Sequence, residues 1–515
     1  MNGRFLAAVL TAALAAGVRA QDRPSEDELF GTPPKAVAPA PEKKPAPAPP
    51  GGASNHGQTE AELFGAQAAP PAPVAPPGTL IPREREDWLR IGGLLQLQAQ
   101  ASAYQDSSPR DWPFSSPNLL DVYLDTRPND RVRGFVLGRL SWDPTVQGSS
   151  GTQSRLAGSA GGGGTGTVGF GASPTTANPG AVLDQLWLNF DVYHRAFITA
   201  GRQHVKWGVG KFWNPTDYLH PVRRDPLATF DTRTGTTLVK VQVPWEKRGW
   251  NLYGIAVLED LAGDTTRTDS RLGRIGGGGR AELVLGSAEL GLDAMLQDGH
   301  RVRYGADLSA GIGDFDVYSE LALRTGGDTP RWTLQGTAEP APDHLTPQVV
   351  AGATWAFRYS DQDSLSLGAE YFYNDPGYDD RRIYPFLLAG APALVSGTLV
   401  QRDTRAFKPF YLGKHYAAVN LTLPQPGSWN DTTIVLSAIG NLSDRSYVAR
   451  LDASVLVLTY MTVEAFVAGH FGQKGGEFRL AIGRENAAAA EALTGQSFPA
   501  GAPMVDVGVA LRVSL

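Results

Sequence analysis

From about Trp88 to Leu515 the chain alternates apolar and polar residues with period two, the repeat of an extended strand whose side chains point to opposite faces. The last segment is the clearest case. Val505, Val507, Val509, Leu511, Val513 and Leu515 form one wholly apolar row, against Met504, Asp506, Gly508, Ala510, Arg512 and Ser514 on the other. Leu120, Val122 and Leu124 likewise oppose Asp121, Tyr123 and Asp125, and Leu290 and Leu292 oppose Glu289 and Asp293. A soluble sandwich would turn the charged row to water; a barrel in a lipid bilayer turns the apolar row to lipid and the charged row to its lumen.

Segment length separates these two readings. The alternating runs last roughly 10 to 13 residues, enough for a tilted strand to cross a bilayer and longer than soluble strands usually are. The links between them alternate short and long, as in outer-membrane barrels with short periplasmic turns. Trp88, Trp142, Trp207, Trp245 and Trp250 fall near strand ends, where an amphipathic ring suits the lipid-water interface. The fold class expected is therefore all-β: a transmembrane antiparallel up-and-down β-barrel of about 18 strands. Its strands are predicted at 89–104, 118–127, 131–142, 182–193, 196–206, 235–244, 248–259, 274–286, 287–298, 300–312, 314–324, 347–358, 364–374, 413–424, 431–440, 446–457, 460–470 and 504–515. Residues 477–482 are assigned to a loop, because both chain ends on one side require an even count.

Composition agrees with this. The 515 residues include 60 glycines and no cysteine, and although 42% are hydrophobic, no apolar run nears the ~20 residues of a spanning helix. Arg4, the apolar stretch Phe5–Gly17 and Val18-Arg19-Ala20 read as a secretory signal over residues 1–20. Without cysteine, neither a lipid anchor nor a disulfide is available. A net charge of −6 on this length gives no reason to expect nucleic acid as a partner. The expected location is the cell outer membrane, with outer-membrane lipid and the barrel assembly machinery as partners.

Residues 21–87 are rich in Pro and Ala and too poor in large apolar side chains to bury a core, so a disordered periplasmic tail is expected there. Ser25-Glu26-Asp27-Glu28-Leu29-Phe30-Gly31 recurs as Thr59-Glu60-Ala61-Glu62-Leu63-Phe64-Gly65. Each copy carries a capping box and a closing glycine, hence about one helical turn that would persist only against a partner. Leu29, Phe30, Leu63 and Phe64 are the expected docking side chains for a periplasmic protein.

Chemistry concentrates after residue 200. Continued parity puts Arg202, His204 and Lys206 on an inward face, with Val205 and Trp207 on the other. The stretch beyond Trp207 holds too many Pro, Gly and aromatic residues for a freely solvated loop, so it is expected to fold into the barrel and narrow it. Arg223, Arg224 and Arg233 join from that loop, and Lys240 from the return strand. Lumen arginines and carboxylates nearly balance over the barrel as a whole. They could form a selective path for anions or merely ladders of ion pairs between strands.

Gly201-Arg202-Gln203, Trp207-Gly208 and Asn214-Pro215-x-Asp217, with the return strand from Gly235 to Pro244, resemble a group of large outer-membrane barrels that includes the alginate-export porins. The resemblance covers about 45 residues closely. It implies eighteen strands and an arginine-lined lumen that passes an anionic polysaccharide. The long repeat-bearing tail, the final Leu515 in place of the usual Phe, and the mixed lumen charge depart from that group. No enzyme is expected: the eight histidines show no metal-ligand spacing, no nucleophile motif accompanies His204, and Gly161–Gly164 lacks the Lys-Ser/Thr of a phosphate loop. No catalytic residue, metal or cofactor is therefore expected. Two functions follow. One is an outer-membrane channel for an anionic solute or polysaccharide, constricted by Arg202, His204, Lys206 and the 207–234 loop. The other is a plugged barrel anchor whose tail recruits a trans-envelope machine for surface polymer export or gliding motility.

Overall fold

The computed structural model describes residues 88–145, 178–220, 223–228, 231, 233–260, 272–328, 330–335, 337–360, 363–389, 393–395, 398–400, 408–481 and 501–515. The expected signal segment, the tail with its two repeats and Gly161–Gly164 lie outside the described residues. Two units divide the chain. In the first, Met1–Ala69 with Leu285–Ser287, the described part is a turn around Gly286 at φ 69°. The second, Pro70–Val284 with Ala288–Leu515, carries the features below.

Alternation is obeyed throughout. Among the described residues eighteen long strands run in one sheet: β1 (Leu89–Tyr104), β2 (Asn118–Asn129), β3 (Val132–Trp142), β4 (Gly180–Val192), β5 (Ala196–Gln203), β6 (Thr236–Trp245), β7 (Trp250–Val257), β8 (Gly276–Leu285) and β9 (Ala288–Leu296) form the first half. The second half is β10 (Arg303–Ile312), β11 (Phe315–Arg324), β12 (Thr346–Arg358), β13 (Ser364–Asn374), β14 (His415–Pro424), β15 (Thr432–Asn441), β16 (Ser446–Leu458), β17 (Met461–Gly472) and β18 (Pro503–Ser514). Each pairs with its neighbours in sequence. The sheet closes where β1 lies antiparallel to both β2 and β18, with Leu95 opposite Leu120 and Ala99 opposite Val509. Closure removes the sheet edges, which a bilayer interior could not hydrate. A two-residue strand, Phe114–Ser115, adds to the outer end of β1.

No strand end departs from its expected position by more than three residues, and Glu477–Arg479 is a 3-10 turn within a loop, as parity required. Among the described residues no helix is long and apolar enough to cross a membrane, so the strands must do so. Their outer rows are exposed and apolar: Ile91, Leu97, Val122, Leu188, Leu252, Val507 and Val509. Their inner rows are polar and buried: Gln96, Gln98, Gln100, Asp121, Arg139 and Asp506. A closed barrel with an apolar belt outside and a polar lumen is the outer-membrane type of transmembrane protein. Connections at the end where β1 begins and β18 finishes are tight, such as Tyr193-His194 at φ 53° and 55° or Gly313 at φ 62°. That end is periplasmic by the usual asymmetry, and the long excursions 204–235, 325–345 and 375–414 leave from the other.

Candidate functional site

Most inward charges are paired across neighbouring strands. Arg133 bridges Asp125 at 2.9 Å, Arg131 bridges Asp191 at 3.0 Å, Arg280 bridges Asp293 at 3.2 Å and, beyond it, Asp307 on the next strand at 2.6 Å, and Arg512 bridges Glu464 at 2.9 Å. Gln96, Gln98 and Gln100 form a similar uncharged ladder on β1. The wall is thus largely a self-neutralised lining, and any net field in the lumen must come from charges outside these pairs.

It comes in part from the loop between β5 and β6, which turns inward at mid-height. Two wall carboxylates hold it. Glu320 of β11, fully buried, accepts the backbone N–H groups of Val209 (3.1 Å), Gly210 (3.0 Å) and Thr216 (2.6 Å), and the Thr216 hydroxyl (2.7 Å). Glu370 of β13 accepts those of Lys211 (2.8 Å), Phe212 (3.2 Å) and Trp213 (2.8 Å), and the Tyr318 hydroxyl (2.8 Å). Several amides can converge on one carboxylate only where the chain coils tightly. Gly208, at φ 86°, and Gly210 permit this, since a Cβ on Gly210 would stand 1.8 Å from the Trp213 carbonyl. Trp213 then packs between Phe372 and Tyr416, ring centroids 5.5 and 5.4 Å away, and donates its indole N–H to the Phe410 carbonyl at 2.9 Å.

Two further segments meet the loop inside the barrel, and nothing in the periodicity marks either. One contains Lys408–Leu412. The other contains Glu477, whose carboxylate accepts the Phe410 N–H, the Tyr416 hydroxyl (2.6 Å) and the Asn441 side-chain amide (2.8 Å). Phe212, Trp213, Phe372, Phe410, Tyr416 and Phe478 form one apolar cluster within the lumen.

The side chains singled out from sequence separate into different environments. Arg202 does not face the lumen. Strand β5 ends at Gln203, and its register sets Thr199 beside the inward Asn189 and Arg202 beside the outward Leu186. Counting parity back from His204 and Lys206, through the end of the strand, put Arg202 on the wrong face. It pairs instead with Glu259 at 3.0 Å on the outer surface, partly exposed. Trp207 is not an interface residue either. With Val205 it is buried in the barrel beside Tyr218, Leu219 and Leu238. Replacing Arg202 by Ala should therefore cost under about 1 kcal/mol, the range of a half-exposed pair, and should leave single-channel conductance unchanged.

His204 is buried and bonded to Asp184 at 2.9 Å, where Arg139 and the Gly235 N–H also converge. Its ring lies 5.4 Å from that of His220, which burial holds neutral by pushing its pKa down to about 4. Arg233 is taken up by Asp217 (2.9 Å) and Asp231 (2.6 Å), and so fastens the return of the loop. Lys206 is walled in by protein yet its side chain is open to the lumen; that enclosure and the nearby Arg224 hold its ammonium below the ordinary lysine range. Lys240 stands opposite Thr199 on the inward row. Arg223 donates to the Asn214 (3.3 Å) and Asp217 (3.2 Å) carbonyls and lies over the Tyr411 ring.

Arg223 belongs to the charge cluster that sequence reading did not assemble. Arg303 on β10 and Arg324 on β11 are directly opposite in register, both inward, and each reaches Asp328 at 3.2 Å. Lys408 completes it, its side chain open to the lumen. Enclosure and the guanidiniums of Arg324, Arg223 and Arg303 hold this ammonium below its ordinary range. Parity from Glu320 marks Arg324 as inward. Lys408 carries no such signal. Among the described residues no group of His, Asp and Glu is arranged to hold a metal ion. The docking residues Leu29, Phe30, Leu63 and Phe64 lie outside the described residues.

Fold and site together define an eighteen-stranded outer-membrane β-barrel whose lumen is narrowed by inward-folded loops. Its architecture is similar to that of several solved porins. OprB of Pseudomonas putida is 9% identical over 83% of this chain and 94% of its own, with a TM-score of 0.44. OccK2 (OpdF) of Pseudomonas aeruginosa, solved in complex with glucuronate, is 10% identical over 83% and 98%, TM-score 0.47. The BenF-like porin of Pseudomonas fluorescens Pf-5 is 11% identical over 84% and 99%, TM-score 0.46. No family model and no curated protein matches the sequence.

Proposed function

We propose that the protein is an outer-membrane channel for anionic solutes, with the loop at 204–235 and the segment around Lys408 as its constriction. One observation carries the reading. Where the wall charges cancel in ladders, Arg303 and Arg324 share one carboxylate, Asp328, and Arg223 and Lys408 stand close to both guanidiniums within the lumen. A cationic ring in a narrow, poorly screened passage raises the local concentration of anions and repels cations. The cargo of the alginate-export group, an anionic polysaccharide, has the sign this ring favours.

Planar-bilayer recording of the full chain in a KCl gradient tests the proposal. The reversal potential should report preference for chloride. Changing Arg223 and Lys408 together to Glu should shift the chloride-to-potassium permeability ratio toward potassium by on the order of tenfold. A channel that prefers cations, or whose preference survives the double change, removes the basis of the reading. The plugged anchor that recruits a trans-envelope machine predicts a third outcome, no conductance in any of these proteins. Its companion experiment is partner capture by the tail, with Leu29, Phe30, Leu63 and Phe64 changed to Ala as the control.

A further inference from the structure

The pairing of Arg303 with Arg324 is unfavourable as it stands. Like charges directly opposite on adjacent strands repel, whereas an opposed pair such as Asp121 and Arg139 neutralises itself. Asp328 offsets one of the two charges. Arg223 and Lys408 stand beside them, so among the described residues the cluster holds four cations and one carboxylate. Arg303 is 6% exposed and, among the described residues, its Nε–H has no acceptor. Buried donors are ordinarily satisfied, so an unused one on a cation within a like-charged cluster points to an absent acceptor.

The cluster is also held rigid before any ligand arrives. The Arg303 guanidinium lies over the Tyr218 ring at 5.8 Å, and Tyr218 is fixed by a 2.6 Å hydrogen bond to the Tyr304 carbonyl. The Arg223 guanidinium lies over Tyr411 at 5.5 Å and is tied to two loop carbonyls. Lys408 is held through its carbonyl, which accepts the Tyr411 N–H at 3.1 Å. Guanidiniums fixed against aromatic rings keep their forks oriented, which lowers the ordering cost of binding an oxyanion.

We propose that Arg223, Arg303, Arg324 and Lys408 form a binding site for a compact oxyanion carrying two or more negative charges, of phosphate-ester or polycarboxylate chemistry. The charge count sets the valence. A monovalent anion would leave the cluster with two uncompensated cations and a divalent one with a single one, whereas a trivalent one balances it; either multivalent anion supplies acceptors to two forks at once. This inference rests on the channel reading for its route of access, but binding can be measured without conduction.

Two measurements on the full chain keep the failures distinct. In bilayers, millimolar pyrophosphate should reduce the KCl current, while acetate at equal ionic strength should not. In detergent, titration calorimetry should detect pyrophosphate binding at least about tenfold tighter in the native protein than in Lys408→Met or Arg324→Gln, the loss of one charge-assisted contact. Arg133→Gln, which removes a ladder guanidinium on another wall, should retain the native affinity. Among the described residues the Lys408 side chain makes no hydrogen bond or ion pair to the fold, so Lys408→Met tests binding even where an arginine variant misassembles. Heat release from the native protein without any current would overturn the channel reading and leave the site standing. Equal effects of pyrophosphate and acetate, or an unchanged affinity in both variants, would overturn the site.

Discussion

Replacing Glu370 by Ala should release the inward loop and raise single-channel conductance severalfold. Three backbone N–H groups, those of Lys211, Phe212 and Trp213, end on this one carboxylate, and the Tyr318 hydroxyl is the fourth donor. Each buried donor left without an acceptor costs roughly 1–3 kcal/mol. The loop can lower that cost by moving toward water in the lumen, which is the motion that widens the passage. Trypsin supplies a second readout, because Lys211 is tethered to Thr354 at 2.7 Å in the native protein and should become cleavable once the coil opens. Gln at the same position keeps one acceptor oxygen and should give an intermediate conductance. Native conductance together with native resistance to trypsin in Glu370→Ala would mean that Glu320 and the Trp213 stack suffice to hold the loop, and that Glu370 is a passive neighbour.

That prediction rests on contacts that local sequence could not reveal. Glu320 and Thr216 lie 104 positions apart, and Glu370 and Trp213 lie 157 apart. Lipid and lumen act on every strand residue in alternation, so Val505 to Leu515 declare their faces one by one. An inward loop obeys no such repeat. Its signals were the glycines and prolines from Trp207 to Pro226, enough to say that the segment folds in, but not what it meets. Lys408 and Glu477, in two other connections, were invisible for the same reason. Arg202 was misread because the alternation it was judged by stops at Gln203, one residue beyond it. Arg324 was legible from Glu320 by parity. Its meaning was not, since a cross-strand like-charge pair appears only when the register is known.

Arg139→Met should be the most damaging change at the foot of the loop, and it separates buried charge from surface charge in this barrel. Arg139 makes a bidentate pair with Asp121, both contacts 2.8 Å, and reaches Asp184 at 3.2 Å. Asp184 in turn accepts the Gly235 N–H at 3.0 Å and holds His204, so one guanidinium joins β2, β3 and β4 to both ends of the loop. Methionine fills a similar volume without charge. It leaves two buried carboxylates with one cation partner fewer, a loss of about 3–5 kcal/mol for a broken buried pair. The urea midpoint of the folded barrel, read by its heat-modifiable gel mobility, should fall well below that of Arg202→Ala. Adding Asp121→Asn to Arg139→Met should recover part of the loss, because it removes one of the stranded charges. If the two single variants unfold at the same midpoint, the inward arginines contribute no more than surface pairs, and the lumen around Arg139 is as wet as the outer rim where Arg202 stands.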